Sequence, residues 1–357
     1  MKNFFPVWRL QRFNMLRPGL AELARKEWES KLSKHLPLRD KLDCWRNGFL
    51  SESRLLYDFD KHSKSDYLTD YARFTKAGMN GIYTTLLNNK VMFDAVMRPF
   101  QPNIPKTYAV RINRKFQTLT QEPRIHSPQD AVRWCMAGND IVLKPLAGGG
   151  GSGIIVLTAA QGDLFSNGVR MSAAELTSML ERRDRYLLQE KIKQAEYASK
   201  IYPRTTNTIR VLTMWDSDSD EPFIAMAVHR FGCDKSYPVD NWTQGGFCAA
   251  VDLATGEMSK AVTYPITGKL EWRNDHPGTG ERIAGICIPD WPAVRQKLLD
   301  IARTFPYWRY VGWDILLDRN GTLRIIEGNH RSDVNLLQVH APLLRDPRVR
   351  TFYQQNQ

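Results

Sequence analysis

The stretch VGWDILLDRNGTLRIIEGN, residues 311–329, consists of two apolar runs joined by Asn320-Gly321. Asn-Gly between apolar runs is a strong short-range signal for a β-hairpin, and it favours a two-residue turn in which Arg319 pairs with Thr322. Because strand side chains alternate with period two, a turn longer by two residues would leave the same side chains on the same face. The sequence therefore predicts an antiparallel strand pair late in the chain.

Three polar side chains share one face of this predicted hairpin. Counting outward from the turn places Asp314 opposite Glu327, and Asn329, opposite Gly312, falls on the same face. Directly opposed carboxylates destabilise a sheet by themselves, so a bound cation would remove the conflict. Mg²⁺ takes oxygen ligands, typically one or two carboxylates together with substrate phosphates. We therefore expect a metal site at this face; the alternative is a solvated face with ordinary charges.

A glycine-rich segment lies earlier in the chain, in DIVLKPLAGGGGSGIIVL, residues 140–157. Glycines let backbone N–H groups approach anionic oxygens, so a loop of this kind can cover a polyphosphate, and Lys144 adds a positive charge. The segment is neither a Walker A loop nor a dinucleotide fingerprint, since both open a helix and β-branched residues follow the glycines here. The alternative, a flexible linker, does not account for Lys144 together with the acidic hairpin.

With these motifs in this order, the chain resembles the ATP-grasp superfamily, and most closely the sugar-transfer-associated ATP-grasp proteins. The resemblance covers roughly residues 88–335. It implies an α+β fold in which two α+β subdomains with antiparallel sheets clasp ATP beneath a glycine-rich loop. We expect a mainly helical N-terminal region at 1–87, a first subdomain with the glycine-rich loop at 88–187, and a second subdomain with hinge, metal site and C-terminal tail at 188–357.

The resemblance also implies a set of nucleotide-binding residues. Two lysines would hold phosphates, the glycine loop would cover them, a hinge would read adenine through its backbone, and an acidic residue would hold the ribose. These residues are Lys90, Lys144, Gly148, Gly149, Gly150, Gly151, Ser152, Gln189, Glu190, Lys191, Ile192 and, for the ribose, Glu196. The superfamily's metal ligands match Asp314, Glu327 and Asn329, in agreement with the hairpin.

Three further side chains are candidates for catalysis. Arg210 alternates with apolar neighbours in a predicted strand, and Arg230 ends another apolar run. Arginines at similar places in the superfamily contact the γ-phosphate or an acyl phosphate, as a phosphoryl clamp requires. A structural ion pair is the alternative for each. Asn241 matches an Asp-Asn motif near the phosphates, although an Asx-turn would explain it nearly as well.

Composition limits the class of protein and its partners. The 357 residues are 42% hydrophobic and 25% charged, as in an ordinary globular chain, and the formal net charge is +12. The basic residues are spread along the chain and no nucleic-acid-binding motif is present, so we expect acidic small substrates rather than nucleic acid. No apolar run approaches the length of a membrane span. The basic, aromatic start could contact an anionic membrane, but packing on its own domain is the more common role.

Five scattered cysteines without a Cys-x-x-Cys pair, and a start that does not read as a secretory signal, favour a reducing cytoplasm. We therefore expect a cytoplasmic protein, with contact at the inner membrane surface as an option left open by the basic start.

The expected reaction follows from the resemblance. It implies an ATP-dependent carboxylate–amine ligase that uses ATP and Mg²⁺, as two ions, with Mn²⁺ as an alternative metal. The γ-phosphoryl group would pass to a substrate carboxylate, and an amine acceptor would attack the acyl phosphate to form an amide. The family's name suggests precursors of cell-surface polysaccharides. A kinase that phosphorylates a hydroxyl, and a nucleotide-binding protein without turnover, are the alternatives.

Overall fold

The first part of the chain is helical. The computed structural model describes residues 18–75 and 78–355, so most of the basic, aromatic start, and with it the expected membrane contact, lies outside the described residues. The helices before the first strand are α1 (Pro18–Glu29), α2 (Leu38–Arg46), α3 (Ser53–Leu56), α4 (Asp70–Thr75), α5 (Thr84–Asn88) and α6 (Lys90–Met97). No helix within the described ranges is long and apolar enough to cross a bilayer.

A capping side chain fixes the start of α6. The Asn89 side-chain oxygen accepts hydrogen bonds from the N–H groups of Val91 at 3.0 Å and Met92 at 3.3 Å. These are two of the donors that a helix leaves free in its first turn, and an asparagine cap satisfies them. Lys90 is therefore held at the first helical position.

The middle of the chain forms a seven-stranded antiparallel sheet with the strand order β2-β1-β7-β3-β4-β5-β6. Two helices pack on one of its faces. The elements are β1 (Thr107–Ile112), β2 (Lys115–Thr118), α7 (Pro128–Met136), β3 (Ile141–Pro145), β4 (Ile155–Ala160), β5 (Asp163–Ser166), β6 (Val169–Met171), α8 (Ala173–Glu181) and β7 (Tyr186–Glu190). Since β7 pairs with both β1 and β3, the chain leaves this sheet after Glu190, three residues beyond the expected boundary at 187.

A second seven-stranded antiparallel sheet follows, with the order β12-β11-β10-β9-β8-β13-β14. Its elements are α9 (Glu196–Ile201), β8 (Ile209–Asp216), β9 (Glu221–Phe231), β10 (Phe247–Val251), β11 (Met258–Thr263), β12 (Trp272–Arg273), α10 (Trp291–Arg303), β13 (Tyr310–Leu317), β14 (Leu323–Asn329), α11 (Asn335–Gln338) and α12 (Pro347–Gln355). The chain is thus an α+β protein with two antiparallel sheets and a helical N-terminal region, as the sequence predicts.

Alternation along β8 assigns the two faces of the second sheet. Ile209 and Val211 belong to the core that the sheet shares with α10. Leu212 and Met214 point the other way, into a core shared with the N-terminal helices and α12. Because side chains two apart lie on one face, Arg210 shares the face of Leu212 and Met214. Arg210 lines a cleft on that face.

The hairpin between β13 and β14 has a different turn from the one predicted. The N–H of Asp318 donates to the carbonyl of Thr322 at 3.0 Å, so the loop between these residues contains three residues rather than two. Gly321 has φ of +76°, the left-handed conformation that closes three-residue hairpin loops and that glycine adopts without strain. The prediction of a two-residue turn was therefore wrong.

A β-bulge nevertheless restores the predicted pairing of the acids. Near the turn Leu317 pairs with Leu323 and Ile315 with Ile325, whereas Asp314 pairs with Glu327, so β14 carries one extra residue at this point. An extra residue reverses the alternation of the side chains that follow it. Glu327 consequently leaves the core face of Ile325 and joins Asp314 on the opposite face. The predicted pairing of Asp314 with Glu327 is confirmed.

Candidate functional site

The two sheets face each other across a deep cleft with an empty volume of about 1070 Å³. Val142 and Lys144 of β3 line it, because Ile141 and Leu143 point into the core beneath α7 and α8. The second sheet contributes polar residues from β8, β9, β13 and β14, and the glycine-rich segment 148–152 closes one side. The cleft combines apolar walls with a few converging charges, as small-molecule sites do.

Both predicted phosphate lysines point into this cleft. Lys90 Nζ donates to the Gly148 carbonyl at 3.0 Å and lies 3.9 Å from Glu327 Oε2. Lys144 Nζ approaches the Ile326 carbonyl of the opposite sheet at 3.4 Å and is buried. Burial lowers the pKa of Lys144 to about 8; the charge of Glu327 opposes this shift and the like charge of Lys90 adds to it. A further anion would stabilise both ammonium groups.

The glycine-rich loop is held from both sides of the cleft. Lys90 donates to it from the first side, as described above. From the other side Asn241 Nδ2 donates to the Gly150 carbonyl at 2.6 Å, and Gln244 Nε2 donates to the same oxygen at 2.9 Å. Gly151 packs so closely on Val239 that a Cβ there would lie 2.9 Å from Val239 Cγ1. The loop is therefore a packed cover of the cleft.

The two predicted catalytic arginines both bind Asp314. Arg210 Nε and Nη2 donate to the two carboxylate oxygens of Asp314 at 2.6 and 3.1 Å, and Arg230 Nη2 lies 3.1 Å from Asp314 Oδ2. Burial raises the pKa of Asp314, but the charges of Arg210 and Arg230 outweigh it and hold that pKa well below its ordinary value. The carboxylate is thus ionised, and two guanidinium groups neutralise it.

Glu327 has a different environment from Asp314. Lys90 Nζ lies 3.9 Å from Glu327 Oε2, and Asn329 Nδ2 donates to Glu327 Oε1 at 3.3 Å. A side-chain hydrogen bond with Glu327 also contributes to lowering the pKa of Asp314, after the charges of the two arginines. The same Nδ2 donates to the Gly312 carbonyl at 3.1 Å, so the amide is oriented, and within residues 18–75 and 78–355 no group donates to Asn329 Oδ1. Glu327 and Asn329 therefore present oxygen atoms to the cleft.

These oxygens suit a hard divalent cation. Within the described ranges no three His, Cys, Asp or Glu side chains cluster around a common point, so a site made only of such ligands is absent there. Mg²⁺ does not need one, because it takes one or two carboxylates and completes its shell with phosphate oxygens and water. Glu327, Asn329 and Asp314 line the same cleft and form a donor set of that kind. The residues present fit the ion.

The predicted hinge lies in and just after β7. Glu190 and Ile192 line the cleft, whereas Lys191 pairs with Asp140 at 3.3 Å on a neighbouring surface. The Lys191 N–H donates to the Asp140 carbonyl, and among the described residues no acceptor is recorded for the Ile192 N–H. Gln189 points to the adjoining end of the cleft, where its amide donates to Thr107 Oγ1 at 2.7 Å.

The structure does not bring Glu196 to the cleft. Glu196 is the first residue of α9, its side chain is 81% exposed, and it pairs with Lys200 at 2.8 Å. Glu190 is the acidic hinge residue that lines the cleft, although its carboxylate is held by Arg324 at 2.9 Å. All the other predicted site residues lie in or beside the cleft.

Two buried polar residues of the cleft, Thr208 and Asp240, were not among the predicted site residues. Asp240 accepts hydrogen bonds from Thr208 N at 2.8 Å and Thr208 Oγ1 at 2.6 Å, and it lies 3.4 Å from Arg230. Arg230 also donates to Thr208 Oγ1. Burial raises the pKa of Asp240, although the charge of Arg230 opposes this. The only signal in the sequence was the position of Asp240 beside Asn241; its contact with Thr208 joins residues 32 positions apart.

Comparison with known families agrees with this architecture. The family described as sugar-transfer associated ATP-grasp matches residues 70–348 of the chain. None of the curated proteins matches the chain.

Several solved structures are similar to the chain at low sequence identity. The ATP-grasp ligase PsnB complexed with a minimal precursor has 14% identity and a TM-score of 0.39, over 78% of this chain and 64% of the PsnB chain. A RiPP-associated ATP-grasp ligase from Chryseobacterium gregarium, in complex with ADP and a leader and core peptide, has 11% identity and a TM-score of 0.41, over 83% of this chain and 72% of its own. The D-alanine-D-alanine ligase from Coxiella burnetii has 9% identity and a TM-score of 0.36, over 76% and 58%. The chain thus spans less than two thirds of the length of PsnB.

Proposed function

The chain belongs to the sugar-transfer-associated ATP-grasp family, and from that premise we propose that it is an ATP-dependent carboxylate–amine ligase. The observation that supports this best is the convergence in one cleft of two lysines, a glycine-rich cover and the pair Asp314–Glu327. A triphosphate needs cationic groups and a metal together, because its charge must be neutralised before a phosphoryl group can leave.

ATP would lie along the length of the cleft. The adenine ring would pack between Val142, Val156 and Ile326, and the Ile192 N–H would donate to it. The phosphates would replace the carbonyl partners of Lys90 and Lys144, since a phosphate oxygen is the stronger acceptor for an ammonium group. Glu196 is too far out on α9 to hold the ribose in this arrangement, so Glu190 is our candidate for that contact.

Glu327 and Asn329 would hold Mg²⁺, with Asp314 beside them. Each oxygen of Asp314 already accepts from an arginine, so Glu327 is the carboxylate with the greater freedom to ligate. The ion would supply charge neutralisation at the β- and γ-phosphates. Asp314 would keep Arg210 and Arg230 in position beside that ion.

The protein's part in the reaction would be positioning and charge stabilisation. A substrate carboxylate oxygen would attack the γ-phosphorus, the bond to the β-phosphate oxygen would break, and ADP would leave. The amine would then attack the acyl carbon and expel phosphate, losing its proton. Lys144 and Arg230 would hold the negative charge on the transferred oxygens, and Asn241 would keep the glycine loop over them.

Hydroxylamine trapping tests the class of reaction. With Mg²⁺, ATP and a carboxylic acid substrate, a ligase releases ADP and converts the acid to a hydroxamate in the presence of hydroxylamine. A kinase acting on a hydroxyl releases ADP but leaves a phosphate ester and no hydroxamate. A protein that binds the ATP analogue AMPPNP with Mg²⁺ and releases no ADP with any substrate would be a nucleotide-binding protein without turnover.

The biological setting is proposed on the family description alone. A sugar-transfer association is consistent with a role in making precursors of cell-surface polysaccharides, in the cytoplasm or at the inner face of the membrane. The carboxylic acid and the amine would then be sugar-derived or amino-acid-derived molecules. Deletion of the gene followed by analysis of cell-surface polysaccharide composition tests this setting separately from the chemistry.

A further inference from the structure

A second large cavity lies between the N-terminal helices and the end of the second sheet. Its empty volume is about 1280 Å³. One wall consists of residues from α1 and α4, and the opposite wall consists of the segment directly after β14, residues 330–333, with aromatic rings of Tyr264 and Tyr310 between them. The helical region therefore does more than cover the sheet: it completes a cavity.

This cavity adjoins the phosphate end of the nucleotide cleft. Arg210 lines the cleft and donates through Nη1 to Ser332 Oγ, which lines the cavity, at 3.2 Å. Asn241 lines the cleft and accepts from Thr243 Oγ1, which lines the cavity, at 3.0 Å. At each of these two hydrogen bonds, one pair of side chains lies between the cleft and the cavity. A molecule in the cavity would lie next to the Asp314–Glu327 pair rather than next to the hinge.

The charges that line the cavity are only partly compensated. Arg25 pairs with Glu22 at 2.5 Å, and Arg73 pairs with Asp333 at 3.3 Å. The two remaining cations of the cavity wall are Lys26 and Arg331. Among the described residues, neither of them has a carboxylate within ion-pairing distance, although the charges of both contribute to lowering the pKa of Glu22 after the hydrogen bond from Arg25.

The remaining acid of the wall, Glu52, does not neutralise these two cations. Its carboxylate accepts a hydrogen bond from Ser30 Oγ at 2.6 Å. Burial raises the pKa of Glu52, and the hydrogen bond from Ser30 opposes this. The cavity thus offers two cations to an anionic ligand, an aromatic surface to the body of that ligand, and one carboxylate that can accept from its hydroxyl or amino groups.

We propose that this cavity binds the carboxylic acid that accepts the γ-phosphoryl group, and that Lys26 and Arg331 select for its negative charge. The inference rests on the proposed ligase function, which requires an acid beside the γ-phosphate, and it assigns the acid to a site built by the N-terminal helices. A charged hydrogen bond from arginine gives an acid a large advantage over a neutral molecule of the same shape. Lys26 lines this cavity from α1, whereas Arg331 also lines the end of the nucleotide cleft beside Lys90 and Glu327, so Lys26 is the cation whose substitution tests the cavity separately.

Paired ligands that differ only in charge test the proposal. D-glucuronate and D-glucuronamide, succinate and succinamide, and 4-hydroxybenzoate and 4-hydroxybenzamide are titrated by saturation-transfer NMR into the full chain carrying Mg²⁺ and AMPPNP. We expect at least one acid to bind at least about tenfold more tightly than its amide, and Lys26→Gln to remove most of that preference. Lys26→Arg should keep most of it. Lys61→Gln, which removes one exposed cation of the same helical region outside the cavity, should change nothing.

The outcomes separate this proposal from the ligase proposal. AMPPNP affinity, measured by calorimetry on the same samples, should be equal in wild type, Lys26→Gln and Lys61→Gln. If no acid binds better than its amide, or if Lys26→Gln keeps the preference, the cavity is not the acid site even though the nucleotide binds. If AMPPNP fails to bind the wild type, the ligase proposal is wrong, regardless of whether any acid binds.

Discussion

Arg210 and Asp314 occupy directly paired positions on β8 and β13 and form a two-pronged ion pair, with donor–acceptor distances of 2.6 and 3.1 Å. Their side chains are only 8% and 5% exposed. Cross-strand neighbours of opposite charge stabilise a sheet, whereas Asp314 and Glu327 across the other edge of β13 repel each other. Arg210 thus supplies part of the positive charge that the opposed acids require.

Arg210→Met should destabilise the protein by about 3 kcal/mol, because removing one partner of a buried pair leaves a desolvated charge. Urea unfolding measures this. Arg303→Met is the matched control: it breaks the exposed pair with Glu221, which should matter by less than about 1 kcal/mol. Equal losses of unfolding free energy in both variants would show that the buried ion pair stabilises the protein no more than the exposed one.

The same variant should lose less stability on acidification than wild type does. The folded-state pKa of Asp314 is lowered, so its ionisation contributes stability that is present above the unfolded pKa of about 4 and is lost as the pH falls below it. Without Arg210 the folded-state pKa rises, and that contribution shrinks. We expect the Tm difference between wild type and Arg210→Met to be largest near neutral pH and to narrow below pH 4. A difference that stays constant from pH 7 to pH 3 would contradict this.

Glu327→Gln should abolish Mg²⁺-dependent nucleotide binding and leave the fold intact. The amide keeps the shape of the side chain but removes the charge that holds the cation. We expect at least about a hundredfold loss of AMPPNP affinity in Mg²⁺, since even residues behind metal ligands cost ten- to a hundredfold. Calorimetry measures the affinity, and Glu271→Gln, on the exposed surface, serves as the control. Undiminished AMPPNP affinity would show that Glu327 is not a metal ligand.

Lys144→Met should bind nucleotide poorly and yet be more stable than wild type. Burial of the ammonium group costs free energy in the empty cleft, and methionine fills similar volume without a charge. We expect stabilisation on the order of 1 kcal/mol in urea unfolding at pH 7, with AMPPNP binding lost. Lys115→Met, at an exposed position of the same sheet, should change neither quantity. A destabilised Lys144→Met would show that Glu327 and the Ile326 carbonyl compensate the buried charge fully.

The lowered pKa of Lys144 also predicts two pH dependences. Its folded-state pKa is about 8 and its ordinary value is 10.5, so between these values the unfolded chain binds the additional proton and stability rises with pH. Phosphate binding needs the protonated group, so AMPPNP affinity should fall as the pH rises above about 8. Calorimetry from pH 6.5 to pH 9.5 tests the second effect, and it should be absent in Lys144→Met.

Gly151→Ala should displace the glycine-rich loop, whereas Gly149→Ala should be milder. Gly151 has φ of +74° and an added Cβ would lie 2.9 Å from Val239 Cγ1, so alanine meets both backbone strain and a clash. A Cβ at Gly149 meets no atom within 4 Å in the empty cleft, and its φ is not positive. We expect the KM for ATP to rise about tenfold or more in Gly151→Ala and less in Gly149→Ala. The reverse order would mean that the loop leaves this position when ATP binds.

The hairpin shows why a correct prediction can rest on a wrong detail. The sequence predicts that Asp314 faces Glu327 through a two-residue turn, but the turn has three residues and a bulge in β14 restores the pairing. Loop length is set by the preference of Gly321 for a left-handed conformation, which the sequence suggests only weakly. The bulge is invisible in the sequence, because it depends on the packing of Ile325 in the core and of Ile326 in the cleft.

The roles of the arginines and of Glu196 could not be read from the sequence for a related reason. Alternation along a strand shows that Arg210 and Ile209 point to opposite faces, but not that Asp314 is the cross-strand partner of Arg210. The family resemblance implied that Glu196 holds the ribose, whereas the chain turns away into α9 and leaves its side chain in solvent. The pairing of Arg210 with Asp314 joins residues distant in sequence.

Local information in the chain indicated Lys144, the glycine-rich segment and the facing acids, since alternation, turn chemistry and glycine content act over a few residues. The α+β class and the role of Lys90 were expected from the family resemblance. The cleft itself, the neutralisation of Asp314 by two arginines and the cavity completed by the N-terminal helices arose only on folding. They depend on contacts between elements more than a hundred residues apart, such as Arg210 with Asp314. Burial and charge pairing at such distances are properties of the packed molecule.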